Sequence, residues 1–201
     1  MSLSYEIFYR VGFTPWEAAA ESGRAAAQLN RLLEREGEER ARPPGRMLDL
    51  GCGTGYHTRA LAARGWDAVG VDNVALALKK AGARSENSTA RFVSGDVTRL
   101  GDLDLGTFDF FLDVGCFHGL KRGQRQAMAD GVTALANPDA TLLTLCFRRN
   151  PLPFGSLGAT EDDVANAFSR WAIIHQEPAD LADLNGPARK AEPQLYRLRL
   201  R

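Results

Sequence analysis

The segment MLDLGCGTG, residues 47–55, carries most of the information about the fold, because a short apolar run ends there in three glycines at alternate positions. Glycines at these positions let the backbone adopt tight and positive-φ conformations, and they remove the Cβ atoms that would keep a ligand away from the main chain. A dinucleotide-binding fingerprint reads G-x-G-x-x-G, whereas Tyr56 stands where its third glycine would fall. The spacing therefore predicts a nucleotide-cofactor loop and argues against NAD.

Three acidic residues end the apolar segments that follow this loop. Asp72 lies 17 residues beyond Gly55, a distance that fits one helix and one strand. Asp96 and Asp113 end the next two apolar segments. Because the carboxyl ends of strands in a doubly wound sheet border one crevice, we expect these side chains to lie close together. Taken singly, Asp72 also fits a helix N-cap and Asp96 a turn residue.

The apolar run with its acid and the G-x-G-x-G loop resemble motif I of the class I S-adenosylmethionine-dependent methyltransferases. The resemblance implies an α/β fold, namely a doubly wound, seven-stranded Rossmann-like methyltransferase sheet with helices on both faces and the last strand antiparallel. It also implies S-adenosyl-L-methionine as cofactor and S-adenosyl-L-homocysteine as product. By the same likeness Asp72 binds the ribose hydroxyls, Asp96 accepts from the adenine amino group, and Val97 meets the adenine ring. The cofactor-binding residues implied in this way are Asp49, Gly51, Cys52, Gly53, Thr54, Gly55, Asp72, Asn73, Gly95, Asp96, Val97, Asp113, Val114 and Gly115.

A second resemblance lies near the start of the chain, in YRVGFTPWE at residues 9–17. This segment is similar to the tyrosine, glycine, then proline-tryptophan-acid segment of the thiopurine methyltransferase-like and tellurite-resistance-like methyltransferases, where it folds over the cofactor. The likeness makes Trp16 and Phe13 candidates for the wall of the substrate pocket. Residues 14–17 also fit the capped start of a helix, with Trp16 packing on the core.

The segment after the fourth predicted strand corresponds to the family's loop beside the reacting methyl group. Methyltransferases that act on amino groups of DNA or of protein glutamine usually carry Asn or Asp followed by Pro-Pro-Tyr there, and the cytosine C5 enzymes carry a Pro-Cys nucleophile. This chain has DVGCFH at residues 113–118 instead. A small-molecule acceptor is therefore favoured by elimination.

His118 is the candidate catalytic residue, because an imidazole titrates near neutrality and the resemblance places its loop beside the methyl group. A structural or cofactor-contacting histidine is the alternative. Phe117 and Phe147 are candidates for an aromatic lining that suits a flat heterocycle or phenol, and Arg148 for a contact with an anionic substituent. The two aromatic residues fit the core equally well. We expect His57 to pack or cap at the start of the first helix.

Composition limits the partners and the location. The 201 residues include 25 Lys plus Arg and 25 Asp plus Glu, so the formal net charge is zero and nucleic acid is disfavoured as a substrate. The three cysteines form no C-x-x-C pair, and neither a disulfide nor a metal site is predicted. The chain lacks an uncharged stretch long enough for a bilayer and a basic-then-apolar start, so we expect a cytoplasmic protein without a membrane partner.

The chain is predicted to form one methyltransferase domain over residues 1–201. A Pro- and Gly-containing segment at 42–45 separates an N-terminal cap or extension, 1–45, from the nucleotide-binding core, 46–201. Between residues 196 and 201 three apolar residues alternate with three arginines, which predicts a final strand with one buried and one solvent-exposed face. A monomer or weak homodimer is expected.

The sequence therefore predicts a methyltransferase that acts on oxygen, sulfur or nitrogen of a small aromatic or heterocyclic molecule. The second resemblance also permits a thiol, halide or metalloid methyltransferase. A non-catalytic module that binds S-adenosylmethionine would keep the same glycines and acidic residues. An NAD-dependent oxidoreductase is disfavoured by the glycine spacing.

Overall fold

Seven strands of the described residues form one mixed sheet. The computed structural model describes residues 2–12, 14, 17, 23–39, 44–148, 158–180 and 191–201. The strands are β1 Arg46–Leu50, β2 Asp67–Asp72, β3 Arg91–Ser94, β4 Phe108–Val114, β5 Ala136–Phe147, β6 Trp171–Pro178 and β7 Pro193–Leu200. Their order is β3-β2-β1-β4-β5-β7-β6, and β7 runs antiparallel between β5 and β6 while β1 to β5 are parallel. This confirms the predicted seven-stranded sheet with an antiparallel last strand.

Helices pack on both faces of the sheet, also as predicted. The helix Tyr56–Ala62 begins directly after Gly55, whose φ of 73° is left-handed. The helix Glu161–Ala167 begins with a capping box, in which the Thr160 hydroxyl accepts from Asp163 N–H at 3.2 Å. In the described ranges, no helix is both long enough and apolar enough to cross a membrane. The helices of the described residues are α1 Ser2–Val11, α2 Gly23–Glu38, α3 Tyr56–Ala62, α4 Ala75–Ala83, α5 Arg122–Ala134 and α6 Glu161–Ala167, with 3-10 helices at Val97–Leu103 and Phe117–Gly119.

The core consists of two layers, one on each face of the sheet. Successive side chains of a strand point to opposite faces, so Leu48 and Leu50 of β1 lie in one layer and Met47 lies in the other. The first layer includes Met128 of α5, and the second includes Leu33 of α2. The helix that precedes β1 therefore packs into the same core as the nucleotide-binding strands.

A buried ion pair joins α2 to β7, and a hydrogen bond from the same glutamate joins α2 to β5. Glu36 of α2 is 1% exposed, accepts from Arg197 Nε of β7 at 2.8 Å, and also accepts from the hydroxyl of Thr141 on β5. The expectation that the arginines of the final strand face solvent is wrong for Arg197, which is 4% exposed. Its charge is tolerated there because the carboxylates of Glu36 and Glu39 both pair with it, at 2.8 Å and 2.5 Å.

The carboxyl ends of β1, β2 and β4 form the edge that matters for function. β1 lies at the centre, with Leu50 in register with Val71 of β2 and Asp49 in register with Leu112 of β4. The strand order reverses between β1 and β4, so the connections after these strands diverge and leave a crevice. The glycine loop after β1 lies at this crevice.

Candidate active site

A cavity of about 390 Å³ opens at the carboxyl edge of the sheet. It brings together the loops after β1, β2, β3 and β4, which lie far apart in sequence. Most of the residues that the sequence predicts for the site border this cavity. They are Asp49, Gly51, Cys52, Gly53, Thr54, Asp72, Asn73, Gly95, Asp96, Val97, Val114, Gly115, His118 and Phe147.

The glycine loop is held in left-handed conformations that only glycine adopts readily. The φ angles of Gly51, Gly53 and Gly55 are 74°, 54° and 73°. A Cβ on Gly53 would stand 2.8 Å from the Tyr9 hydroxyl of α1, and a Cβ on Gly55 would stand 2.4 Å from the Phe92 ring. Gly53 therefore keeps the main chain open toward the cavity, whereas Gly55 serves packing and does not border the cavity.

Asp72 fastens the end of β2 to the glycine loop. One carboxylate oxygen accepts from Gly53 N–H at 2.9 Å and the other from Val74 N–H at 2.8 Å. Burial raises the pKa of Asp72, and these backbone donors oppose the rise. A carboxylate has about four lone-pair sites, so Asp72 retains acceptor capacity toward the cavity that suits ribose hydroxyls.

Asp96 borders the neighbouring part of the cavity, after β3. Its Oδ1 accepts from Thr98 N–H at 2.9 Å and from the Thr98 hydroxyl at 2.8 Å. No hydrogen bond joins its Oδ2 to the described residues, and Val97 beside it borders the cavity. An unused carboxylate oxygen next to an apolar side chain fits the amino group and ring of adenine.

Two further carboxylates lie under the cavity. Asp49 is buried and accepts from the Thr58 hydroxyl at 2.6 Å, and burial together with the charges of Asp72 and Asp113 raises its pKa to about 7. Asp113 is 1% exposed and does not border the cavity. It accepts from Cys116 N–H at 2.7 Å and from the Thr144 hydroxyl at 2.7 Å, and burial raises its pKa to about 6. The structure thus places Asp113 beneath the loop after β4, where it fixes the turn.

The loop after β4 presents His118 to the cavity. The imidazole packs against the Phe147 ring at a centroid distance of 4.7 Å, and burial lowers its pKa to about 4. Arg125 of α5 holds the backbone of this turn, since it donates to the carbonyls of Phe117 at 3.3 Å and His118 at 3.1 Å. A neutral imidazole in this position can accept a hydrogen bond or a proton from a bound molecule.

Two predicted substrate contacts lie away from the cavity. Phe117 is fully buried in the core, where its ring packs on Phe168 at 5.6 Å, and it does not border the cavity. Its backbone is turned by Asp113, so the side chain points below the sheet edge. Arg148 is exposed and lies 3.7 Å from the carboxylate of Glu192. Trp16 and Phe13 lie outside the described residues.

The sequence missed the apolar wall on the other side of the cavity. Leu29 of α2, Leu145 of β5 and Leu195 of β7 border it, as do Pro193 and Ala179. Leu29 precedes the other four by more than 100 positions, and the antiparallel pairing of β7 with β5 places Leu195 opposite Leu145. No motif of neighbouring residues predicts such a wall.

Carboxylates supply the fixed charge of the cavity lining. Glu17, Asp72 and Asp96 border it together with Asp49, which is partly protonated at neutral pH because its pKa is raised to about 7, and among the described residues no Arg or Lys does. Such a lining favours a positively charged ligand, which a sulfonium is. Over the described ranges, no group of three or more His, Cys, Asp or Glu side chains is arranged to hold a metal ion.

Comparison with known proteins finds similarity to methyltransferases. Residues 47–139 match the family described as a methyltransferase domain. An uncharacterized methyltransferase of Schizosaccharomyces pombe is 30% identical over 103 residues, which cover 50% of this chain and 70% of that protein. The 2-heptyl-1-hydroxyquinolin-4(1H)-one methyltransferase of Mycobacteroides abscessus is 27% identical over 188 residues, 88% of this chain and 80% of that protein. The structure of a Burkholderia thailandensis 1,6-didemethyltoxoflavin-N1-methyltransferase with bound S-adenosylhomocysteine has a TM-score of 0.72 and 23% identity, with coverage of 99% of this chain and 86% of that one.

Proposed function

The chain belongs to the class I S-adenosylmethionine-dependent methyltransferases, and we propose that it methylates oxygen, sulfur or nitrogen of a small aromatic or heterocyclic molecule. One observation carries this proposal. The cavity residues from the ends of β1, β2 and β3 include the carboxylates and the glycine loop, whereas those from α2, β5 and β7, farther along the sheet, include leucine, proline and phenylalanine side chains. We call these two groups the polar half and the apolar half of the cavity. The polar half suits the cofactor, which leaves the apolar half for the acceptor.

The cofactor supplies the reactive group, a methyl carbon on a positively charged sulfur that is already activated for transfer. The task of the protein is then to bind, orient and exclude water. Asp72 and Asp96 offer acceptors for the ribose and the adenine, and the backbone at Gly51 and Gly53 allows close approach of the ligand. S-adenosyl-L-homocysteine, the product, carries no charge on sulfur.

The apolar half supports a flat acceptor. Leu29, Leu145 and Leu195 form its wall, and Phe147 with the neutral imidazole of His118 closes one side. Two of the similar proteins are named for heterocyclic acceptors, a hydroxyquinolinone and a didemethyltoxoflavin.

His118 is the residue that we assign to the acceptor atom. Its imidazole borders the cavity between the loop after β4 and Phe147 of β5, and it is neutral at physiological pH because burial lowers its pKa to about 4. A neutral imidazole accepts a hydrogen bond from the attacking hydroxyl, thiol or amine and so orients its lone pair. Such a weak base adds little proton transfer of its own, and positioning carries most of its effect.

The remaining features of the proposal rest on the sequence alone. Zero formal net charge gives no long-range attraction to phosphate backbones, so we assign neither nucleic acid nor a membrane as partner. Trp16 and Phe13 are assigned to the pocket wall on the resemblance of residues 9–17 alone. We propose a cytoplasmic protein that is a monomer or a weak homodimer.

A panel of acceptors tests the proposal. Purified protein is incubated with S-adenosylmethionine and single phenols, thiols, nitrogen heterocycles, halides or tellurite, and methylated product is measured by mass spectrometry. We expect turnover with members of the aromatic or heterocyclic groups, with 2-heptyl-1-hydroxyquinolin-4(1H)-one as one of them. Turnover confined to simple thiols, halides or tellurite would show the alternative enzyme class. Tight cofactor binding without any methylated product would show a non-catalytic module.

A further inference from the structure

His57, the second residue of α3, is buried at the cavity without a hydrogen bond. It is 9% exposed and borders the cavity, and neither ring nitrogen has a partner among the described residues. Leaving a buried polar group without a partner costs about 1–3 kcal/mol. The sequence predicts that His57 packs or caps at the start of α3, and neither role explains this arrangement. A capping side chain would make a hydrogen bond, and a side chain used only for packing would be apolar.

The face of α3 on which His57 lies directs the imidazole into the cavity. Leu61, one turn later, lies in the core layer that contains Leu29 of α2. Residues at i and i+4 share a face of a helix, so His57 continues this row at its cavity end, where Leu29 also borders the cavity. Thr58, on the next face, donates to Asp49 instead.

The imidazole is neutral, which defines what it can bind. Burial, with a contribution from the charge of Arg64, lowers the pKa of His57 to about 4. A neutral imidazole offers one N–H donor and one acceptor nitrogen. It is therefore suited to a ligand group that contains both an oxygen acceptor and an N–H donor.

The position of His57 along the carboxyl edge of the sheet indicates which part of the cofactor it would contact. Asp96 and Asp72, which suit adenine and ribose, follow β3 and β2, and His57 follows β1, the next strand of the sheet. The part of the cofactor that remains is its amino-acid tail, with a carboxylate and an ammonium group. No Arg or Lys among the described residues borders the cavity to meet that carboxylate. Uncharged donors must meet it in this part of the protein.

We propose that His57 binds the amino-acid tail of the cofactor, with one ring nitrogen donating to the tail carboxylate. The unsatisfied imidazole of the free protein is then completed by the ligand. Binding thus recovers an interaction that folding leaves unmade.

The test compares two ligands that differ by the tail. S-adenosylhomocysteine carries it, and 5′-methylthioadenosine lacks it. Calorimetric titration of His57→Phe should show S-adenosylhomocysteine bound about 10-fold more weakly and 5′-methylthioadenosine bound within twofold of wild type. His57→Asn or His57→Gln, which carry an amide N–H near Nδ1 or Nε2, should recover at least half of the loss and so identify the donating nitrogen. His175→Phe, on β6 outside the cavity, is the matched control and should change neither affinity.

Thermal unfolding of the ligand-free variants separates binding from folding. His57→Phe should unfold at the wild-type temperature or above it, because the substitution removes an unsatisfied polar group. Equal weakening of both ligands would overturn the proposal in favour of a packing role, and so would unchanged affinity for S-adenosylhomocysteine. A raised KM for the methyl acceptor with unchanged cofactor affinity would overturn it in favour of an acceptor contact. The titrations need no acceptor, so their outcome is independent of the substrate class proposed above.

Discussion

Replacing Asp72 with Ala should weaken binding of S-adenosylhomocysteine by about 1.5–3 kcal/mol, the usual size of a hydrogen bond to a charged group. Each 1.4 kcal/mol is a factor of ten, so the dissociation constant should rise about 10- to 150-fold. The carboxylate also accepts from Gly53 N–H at 2.9 Å and Val74 N–H at 2.8 Å, so its loss frees the glycine loop as well. We therefore expect the larger end of this range.

The assay is calorimetric titration of S-adenosylhomocysteine, paired with thermal unfolding of each variant. Asp67→Ala is the matched control, because Asp67 lies at the opposite end of β2, pairs with Arg46 and Arg91 at the surface, and does not border the cavity. Asp72→Asn keeps one acceptor oxygen and should fall between the wild type and the Ala variant. Affinity of Asp72→Ala within twofold of wild type would refute the assignment of Asp72 to the cofactor.

Three further perturbations test the other buried polar groups. Glu36→Ala should destabilise the fold by about 1–3 kcal/mol in chemical denaturation, because it removes one of the two carboxylates that pair with Arg197 and the hydrogen bond from the Thr141 hydroxyl, while Glu39 still pairs with Arg197. Glu34→Ala on the exposed side of the same helix should change little, and a loss below about 0.5 kcal/mol for Glu36→Ala would contradict this. Burial raises the pKa of Asp49 to about 7, above an unfolded value of about 3.9, so the folded state holds a proton that the unfolded chain releases, and the stability from this group falls as pH rises from about 4 through 7. Asp49→Asn should therefore gain stability relative to wild type between pH 5 and pH 8 in the cofactor-free protein, and a pH-independent difference would reject the raised pKa. His118→Ala should lower kcat by about 100-fold with the fastest acceptor of the panel, because the acceptor loses the hydrogen bond that orients it, while the affinity for S-adenosylhomocysteine stays within twofold. A wild-type kcat would remove His118 from the reaction.

The polar half of the cavity could be predicted because its residues follow local rules. Asp72 and Asp96 each stand where an apolar segment ends, and in a doubly wound sheet those ends meet at one edge whatever the helices between them do. Gly51 and Gly53 were informative because their positive φ angles exclude nearly all other residues. Such signals depend on neighbours in sequence, so they are visible without coordinates.

Asp113 and Phe117 show where this local reasoning ends. Asp113 ends the predicted fourth strand and Phe117 stands in the loop after it, yet the carboxylate of Asp113 turns away from the cavity to accept from the backbone at Cys116 and from Thr144 of β5. That turn buries the Phe117 ring against Phe168 and leaves His118 at the cavity. Which of adjacent side chains faces a cavity depends on hydrogen bonds to a strand that follows about 30 residues later, and spacing in the sequence does not report them.

Arg197 illustrates the same limit in the core and bears on the acceptor. The alternation of apolar residues and arginines in the final strand predicts that one face of the strand is exposed to solvent. Instead, α2 covers that face, and its Glu36 pairs with the charged side chain of Arg197. The ion pair fixes α2 against β7, and both elements also provide apolar residues to the cavity, Leu29 from one and Leu195 from the other. The shape of the acceptor half therefore depends on how a helix before β1 docks on the last strand. Under the proposed function, that long-range packing selects the methyl acceptor, whereas the cofactor contacts depend on local features at the strand ends.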